Sequence, residues 1–293
     1  MDRDDFTPAL FRPPEDLPPP PPPRRVPRGT AAAALFLAAL ALACLLCPLL
    51  LPPEAALPNL ARSSLPPSRE SWFGTDTLGR DIFSMIWYGG RVSLTVGLLS
   101  AALSALLALV LGAAGGLAPR RLDGLLTRLT DILLSLPELL LILLIQALLG
   151  DASVWSLSLA IGAVSWPAMA KAVRTQVRRL RHSGYVTASR CMGGGFFHIL
   201  RRHLAPNVLP SILFMAVMNI RGAIAAEAAL SFLGMGLPLD TVSWGGMLSL
   251  SQSALLGGAW WMVLIPGGFL IAALVCVTEI GGALLSGGEE GPC

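Results

Sequence analysis

The chain has 293 residues, of which 54% are hydrophobic and only 13% charged. Soluble domains carry about 25% charged residues, and several apolar runs here reach the roughly 20 residues a helix needs to cross a bilayer. The composition therefore excludes a pair of soluble domains and predicts one all-α polytopic membrane domain, while the net charge of +3 says little until the charges are placed.

Residues 1–29 are polar and proline-rich, with an unbroken run from Pro18 to Pro23. Such a segment cannot bury a core and is expected to form a disordered cytoplasmic tail. Arg24, Arg25 and Arg28 stand just ahead of the first apolar run, Thr30 to Leu51. That run ends in Pro52-Pro53 with no small-residue cleavage site, so it reads as a retained first span with its N-terminus inside. Cys44-x-x-Cys47 falls within it, where thiolate chemistry would be costly, and reads as two small apolar residues. Together with Cys191, Cys276 and Cys293 these cysteines show no disulfide framework.

Pro52 to Arg91 is a mostly polar connection containing Phe73-Gly-Thr-Asp-Thr-Leu-Gly-Arg-Asp81. Glycines at 74 and 79 among charged residues predict a tight turn leading into a short amphipathic helix, Ile82 to Trp87. The stretch lacks the GxxxxGK[ST] pattern of a phosphate loop. Further spans are predicted over about 92–117, 125–149, 154–172, 208–229 and 259–285, which makes six in a domain of 30–285, with a tail at 286–293. Arg120 and Arg121 occupy one short turn, and Lys171, Arg174, Arg178, Arg179, Arg181, Arg190, Arg201 and Arg202 fill a later loop. By the positive-inside rule both are cytoplasmic, and so are both termini. Residues 231–258 form a glycine-rich outer connection that holds Ser243-Trp-Gly245.

The loop from Gly184 to Asn207 is the most polar and basic part of the domain. Tyr185 to Met192 can make about two helical turns, Gly193-Gly194-Gly195 ends them, and Phe196 to Leu204 can form a second short helix before Pro206. Aromatics beside arginines on such a knob suit either a grooved protein partner or an anionic lipid surface.

The loop resembles the EAA loop of ABC-importer membrane subunits, whose pattern is roughly EAA-x3-G-x9-I-x-LP. Thr187-Ala188-Ser189, Gly193 and Pro206 take the corresponding places, with departures at the glutamate, the second alanine and the leucine before Pro206. The stretch 73–81, Tyr88-Gly-Gly-Arg-Val-Ser-Leu94, Arg121-Leu-Asp123, Asp131 to Pro137, Ser165-Trp-Pro167, Glu227 to Gly234 and Ser243-Trp-Gly245 are similar to the C-type permease subunit of dipeptide, oligopeptide and nickel importers. The C-terminal Glu279-Ile-Gly-Gly-Ala283 departs from that group's usual ending. The resemblance covers residues 70–285 or so.

It implies a non-catalytic half of a translocation pore in a bacterial inner membrane. Its expected partners are a second permease subunit, two cytoplasmic ATPases that bind the ATP, an extracytoplasmic substrate-binding protein and membrane lipid, with no nucleic acid and no cofactor of its own. It also implies that Tyr185, Thr187, Ala188, Ser189 and Gly193 contact the ATPase. The physics of the knob adds Phe196, Phe197 and Arg201. Specificity lies largely in the binding protein, so the cargo, whether a peptide or a nickel or metal chelate, is not named by this sequence.

His182, His198 and His203 are the only histidines; their spacings do not share a helix face, and no metal site is expected. Asp131, Glu138 and Glu227 lie in or near spans and are candidate pore-lining residues that would meet a substrate amine or cation, against the alternative of structural hydrogen bonds. Asp131 and Glu138, seven apart, are expected on one helix face. An intramembrane enzyme is disfavoured because every histidine lies in the loop, and a scaffold or channel without ATPase coupling is the remaining alternative.

Overall fold

The computed structural model describes residues 28–50, 57–150, 152–180, 205–238, 240–252 and 257–288, with 183, 184, 189, 191–193, 202 and 254 between them. The proline-rich segment up to Pro27 and the tail beyond Gly288 lie outside the described residues. The helices are α1 (Arg28–Leu50), α2 (Ile82–Leu117), α3 (Arg120–Ser135), α4 (Glu138–Leu149), α5 (Val154–Leu180), α6 (Ala205–Phe232), α7 (Trp244–Leu250) and α8 (Trp261–Gly288). Among the described residues, a 3₁₀ turn, Leu60–Arg62, sits in the connection after α1. Five of the helices are long and apolar enough to cross a membrane, and the α3–α4 pair makes a sixth if counted as one bent span. Among the described residues there is no strand, only an isolated bridge between Thr75 and Asp81. The protein is an all-α polytopic membrane protein.

Helix α2 is the axis of the bundle, packing chiefly on α5 and α6 and also on α1. A stripe of small residues runs down it: Ser93, Gly97, Ser100, Ser104, Ala108, Gly112 and Gly116, all buried. Lipid tails are as apolar as leucine, so helices in a bilayer associate through close backbone packing, and small residues permit it. A Cβ added at Gly112 would lie 2.7 Å from the Ala170 carbonyl oxygen, and one at Gly116 2.6 Å from Val177 Cγ1. Ser100 donates to the Ser158 carbonyl at 3.1 Å, and Asn219 donates to Ser104 at 2.8 Å. Aliphatic residues on the outward faces, such as Leu35, Leu49, Leu106, Leu264 and Ile271, are exposed as a lipid-facing surface requires.

Three expectations change. The amphipathic turn Ile82–Trp87 is not a separate helix; α2 continues unbroken through Gly89 and Gly90 for 36 residues. Those glycines are where another segment approaches, since a Cβ at Gly90 would lie 2.6 Å from the Trp244 ring. The expected third span, 125–149, is two helices meeting at 98°. Pro137 drives Leu136 into the extended region (φ −94°, ψ 144°) and so ends α3. With 12 residues, α4 is only about 18 Å long, too short to cross the hydrocarbon alone. Finally, α5 runs past the expected boundary at 172 to Leu180, because its basic residues find partners on α3.

Candidate functional site

Four of the motif segments, 73–81, 88–94, 227–234 and 243–245, gather at one end of α2, around Trp244. In the 73–81 turn, Gly74 and Gly79 take φ of +76° and +77°, conformations open to glycine. Asp76 closes the turn: its Oδ1 accepts from the Leu78 and Arg80 amides at 2.9 and 2.8 Å, and its Oδ2 accepts from Arg80 Nε at 2.7 Å. The amides that a phosphate would need are thus already taken by a carboxylate, which excludes the phosphate-loop alternative on chemical grounds. Asp81 then caps α2, accepting from the Ser84 amide at 2.9 Å. Thr75 ties the turn to the preceding segment, donating to the Arg62 carbonyl and accepting from the Leu65 amide.

Glu227 on α6 is completely buried. It accepts from the Ser93 hydroxyl of α2 and the Ser231 hydroxyl of α6, each at 2.9 Å, and Ser243 hydrogen-bonds it as well. Ser243 caps α7 through the Gly246 amide at 3.0 Å. The next residue, Trp244, is fully buried and donates from Nε1 to the Ile86 carbonyl at 3.0 Å. Gly245 lets α7 touch α6, since a Cβ there would lie 2.5 Å from Ala228 Cα. One carboxylate therefore fastens α2, α6 and α7 together. A cavity of about 280 Å³ opens next to it, lined by Arg80, Ser231, Thr241, Ser243 and Gly246 among others. Arg80 Nη2 is buried there without a hydrogen-bond partner.

At the other end of α2 the charges strap α3 to α5. Asp123 accepts from Arg174 Nη2 at 2.9 Å and from Arg178 Nη1 at 3.0 Å, and Asp131 pairs with Lys171. The Ser165 hydroxyl of α5 donates to Glu138 at 2.8 Å, just past the bend. Asp131 and Glu138 consequently sit on two different helices, and the one-face expectation does not hold. Both are exposed, whereas Glu227 is sealed inside the subunit. Asp123→Ala leaves two guanidinium groups unpaired at a half-buried site and is expected to cost about 1–3 kcal/mol. A fall in the unfolding temperature of the purified protein, absent in Arg128→Ala, checks it.

Of the loop residues, Tyr185, Thr187, Ala188, Phe196, Phe197 and Arg201 lie outside the described residues, as do the three histidines. Ser189 is buried, Gly193 takes φ of +84°, and Pro206 is the second residue of α6. Cys44, Cys47, Cys191 and Cys276 are free thiols, and among the described residues no cluster of metal-ligating side chains occurs. The sequence reading passed over Arg221 in the middle of α6; a search for basic as well as acidic residues inside the spans would have found it.

A bundle of apolar helices pinned by buried polar groups at one end and strapped by ion pairs at the other defines an integral membrane protein. Residues 106–286 match the family described as binding-protein-dependent transport system inner membrane component, and the chain belongs to that family. It is 35% identical over 237 residues to the dipeptide transport system permease protein DppC of Bacillus subtilis, a match covering 81% of this chain and 74% of that protein. It is 37% identical over 223 residues to the oligopeptide transport system permease protein OppC of the same organism, covering 76% and 71%. The likeness to dipeptide and oligopeptide permeases read from the motifs is borne out.

Proposed function

We propose that this chain is one of two permease subunits of a peptide importer driven by ATP-binding-cassette ATPases. The likeness to DppC over four-fifths of the chain carries this reading. The chain forms half of the pore in a bacterial inner membrane, with both termini in the cytoplasm, a topology that the arginine distribution supports. The Trp244 end then faces outward, toward a substrate-binding protein. The 184–207 loop faces inward and transmits the closure of two ATPases to α5 and α6. Peptides are favoured over nickel or metal chelates because both Bacillus relatives are peptide permeases by name.

Reconstitution of the chain with its partner permease, ATPases and binding protein in proteoliposomes tests the reading. ATP-dependent uptake of labelled di- and oligopeptides is expected, with no uptake of a nickel chelate. Uptake of the chelate alone would overturn the peptide assignment, and failure to bind the ATPases would overturn the coupling role. Within that assay, Thr187→Glu supplies the carboxylate the EAA pattern carries, which offers an ion-pair partner to a basic residue of the ATPase. More peptide moved per ATP hydrolysed is expected, and a fall in that ratio counts against this account of the loop.

A further inference from the structure

Arg221 sits where an arginine is costly. It stands near the middle of the apolar run 208–232 of α6. At 1.5 Å per residue it lies about 15–20 Å from either end of that run, close to the mid-depth of a bilayer about 30 Å thick. From there a side chain cannot readily snorkel to an interface. It is exposed on the subunit surface, and no acidic side chain pairs with it among the described residues. Its neighbours on the same surface, Gly222 and Ala225, are exposed and small. A Cβ added at Gly222 would meet nothing within 4 Å, so the surface next to Arg221 has room at this position. The opposite side of the helix is fully engaged, with Asn219 bonded to Ser104, and Ala223, Ile224 and Glu227 buried. A charge at this depth persists only where it faces a partner or a water-filled passage.

We propose that Arg221 is a carboxylate-receiving residue of the translocation path, holding the C-terminal carboxylate of a peptide as it passes mid-membrane. The proposal rests on the peptide-importer reading above. A planar guanidinium binds a carboxylate through two parallel hydrogen bonds and does not lose its proton, which suits a passing anionic terminus. The small flanking residues leave room for the peptide backbone beside it. The surface of α6 bearing Arg221, Gly222 and Ala225 accordingly lines the passage rather than meeting lipid.

The test uses the complete importer in proteoliposomes with a labelled dipeptide. Arg221→Gln is expected to lower uptake about tenfold or more, the usual size of a hydrogen bond to a charged group. Binding of the dipeptide to the substrate-binding protein should stay unchanged, and Arg221→Lys should recover part of the loss. A charged, membrane-impermeant thiol reagent should label Arg221→Cys above the background of the native cysteines. Unchanged uptake in Arg221→Gln, or no labelling at 221, overturns the proposal. So does recovery of Arg221→Gln by neutralising an acidic residue of the second permease, which would make Arg221 half of a subunit-to-subunit ion pair. Absence of any peptide uptake by the wild-type importer overturns the peptide reading instead, which keeps the two failures apart.

Discussion

Gly79→Val is expected to leave little folded permease in the membrane. Gly79 sits at φ +77°, and a Cβ placed there would lie 1.7 Å from the Asn59 carbonyl oxygen and 2.6 Å from its carbon. Asn59 cannot step aside: its amide donates to Leu78 at 2.8 Å and its carbonyl accepts from Arg62 at 2.9 Å. A side chain in left-handed backbone costs about 1–2 kcal/mol, and forcing atoms into a filled space typically adds about 1–3 kcal/mol. The sum is a large fraction of a typical folding free energy. The damage would spread, because the same turn places Asp76, Arg80 and Asp81, and its Thr75 carbonyl accepts from the Trp261 indole at the start of α8. Gly79→Ala carries the same Cβ and should fail for the same reason. Gly124→Ala, in α3 with nothing within 4 Å, is the control and should be neutral or stabilising by about 0.4–1 kcal/mol. The measurement is the yield of monodisperse detergent-extracted protein and its unfolding temperature. A wild-type yield from Gly79→Val would show that the turn is not locked as described.

The positions of the helices were largely legible from runs of apolar residues, and the turn at 73–81 from its paired glycines. Three features were not, each because one residue type does opposite things in different surroundings. Gly89 and Gly90 resemble a break between helices, yet they lie inside α2 as a seat for Ser243 and Trp244, which are 154 residues away in sequence. Proline ends α3 at 137 but sits inside α5 at 167 and inside α8 at 266. Sequence alone does not say which helix has neighbours able to hold a proline in line. The length of α5 was hidden for an electrostatic reason: Lys171, Arg174 and Arg178 look like a polar loop until Asp123 and Asp131 are found facing them. The motif segments were recognisable separately, but their convergence on Glu227 needed the tertiary structure.

That convergence makes Glu227 the most informative position at which to separate architecture from transport. An acid in a membrane helix invites a role in the pore, and the sequence placed Glu227 among the pore-lining candidates. Its burial and its bonds to Ser93, Ser231 and Ser243 give it a different task, joining three helices at one point. Glu227→Ala removes a long buried side chain and the acceptor of these hydroxyls, for an expected loss of about 2–5 kcal/mol. Uptake should fall in step with the amount of folded protein. Glu227→Gln keeps the volume and one acceptor oxygen, and its amide can donate to a serine that turns to accept. It should therefore recover most of the stability and, with it, most of the uptake per folded molecule. A residue that instead met a cationic substrate would behave in the reverse way: Glu227→Gln would fold normally and transport poorly. Measuring unfolding temperature and uptake on the same two variants thus distinguishes a helix-joining carboxylate from one on the path, and folded but inactive Glu227→Gln would return Glu227 to the pore.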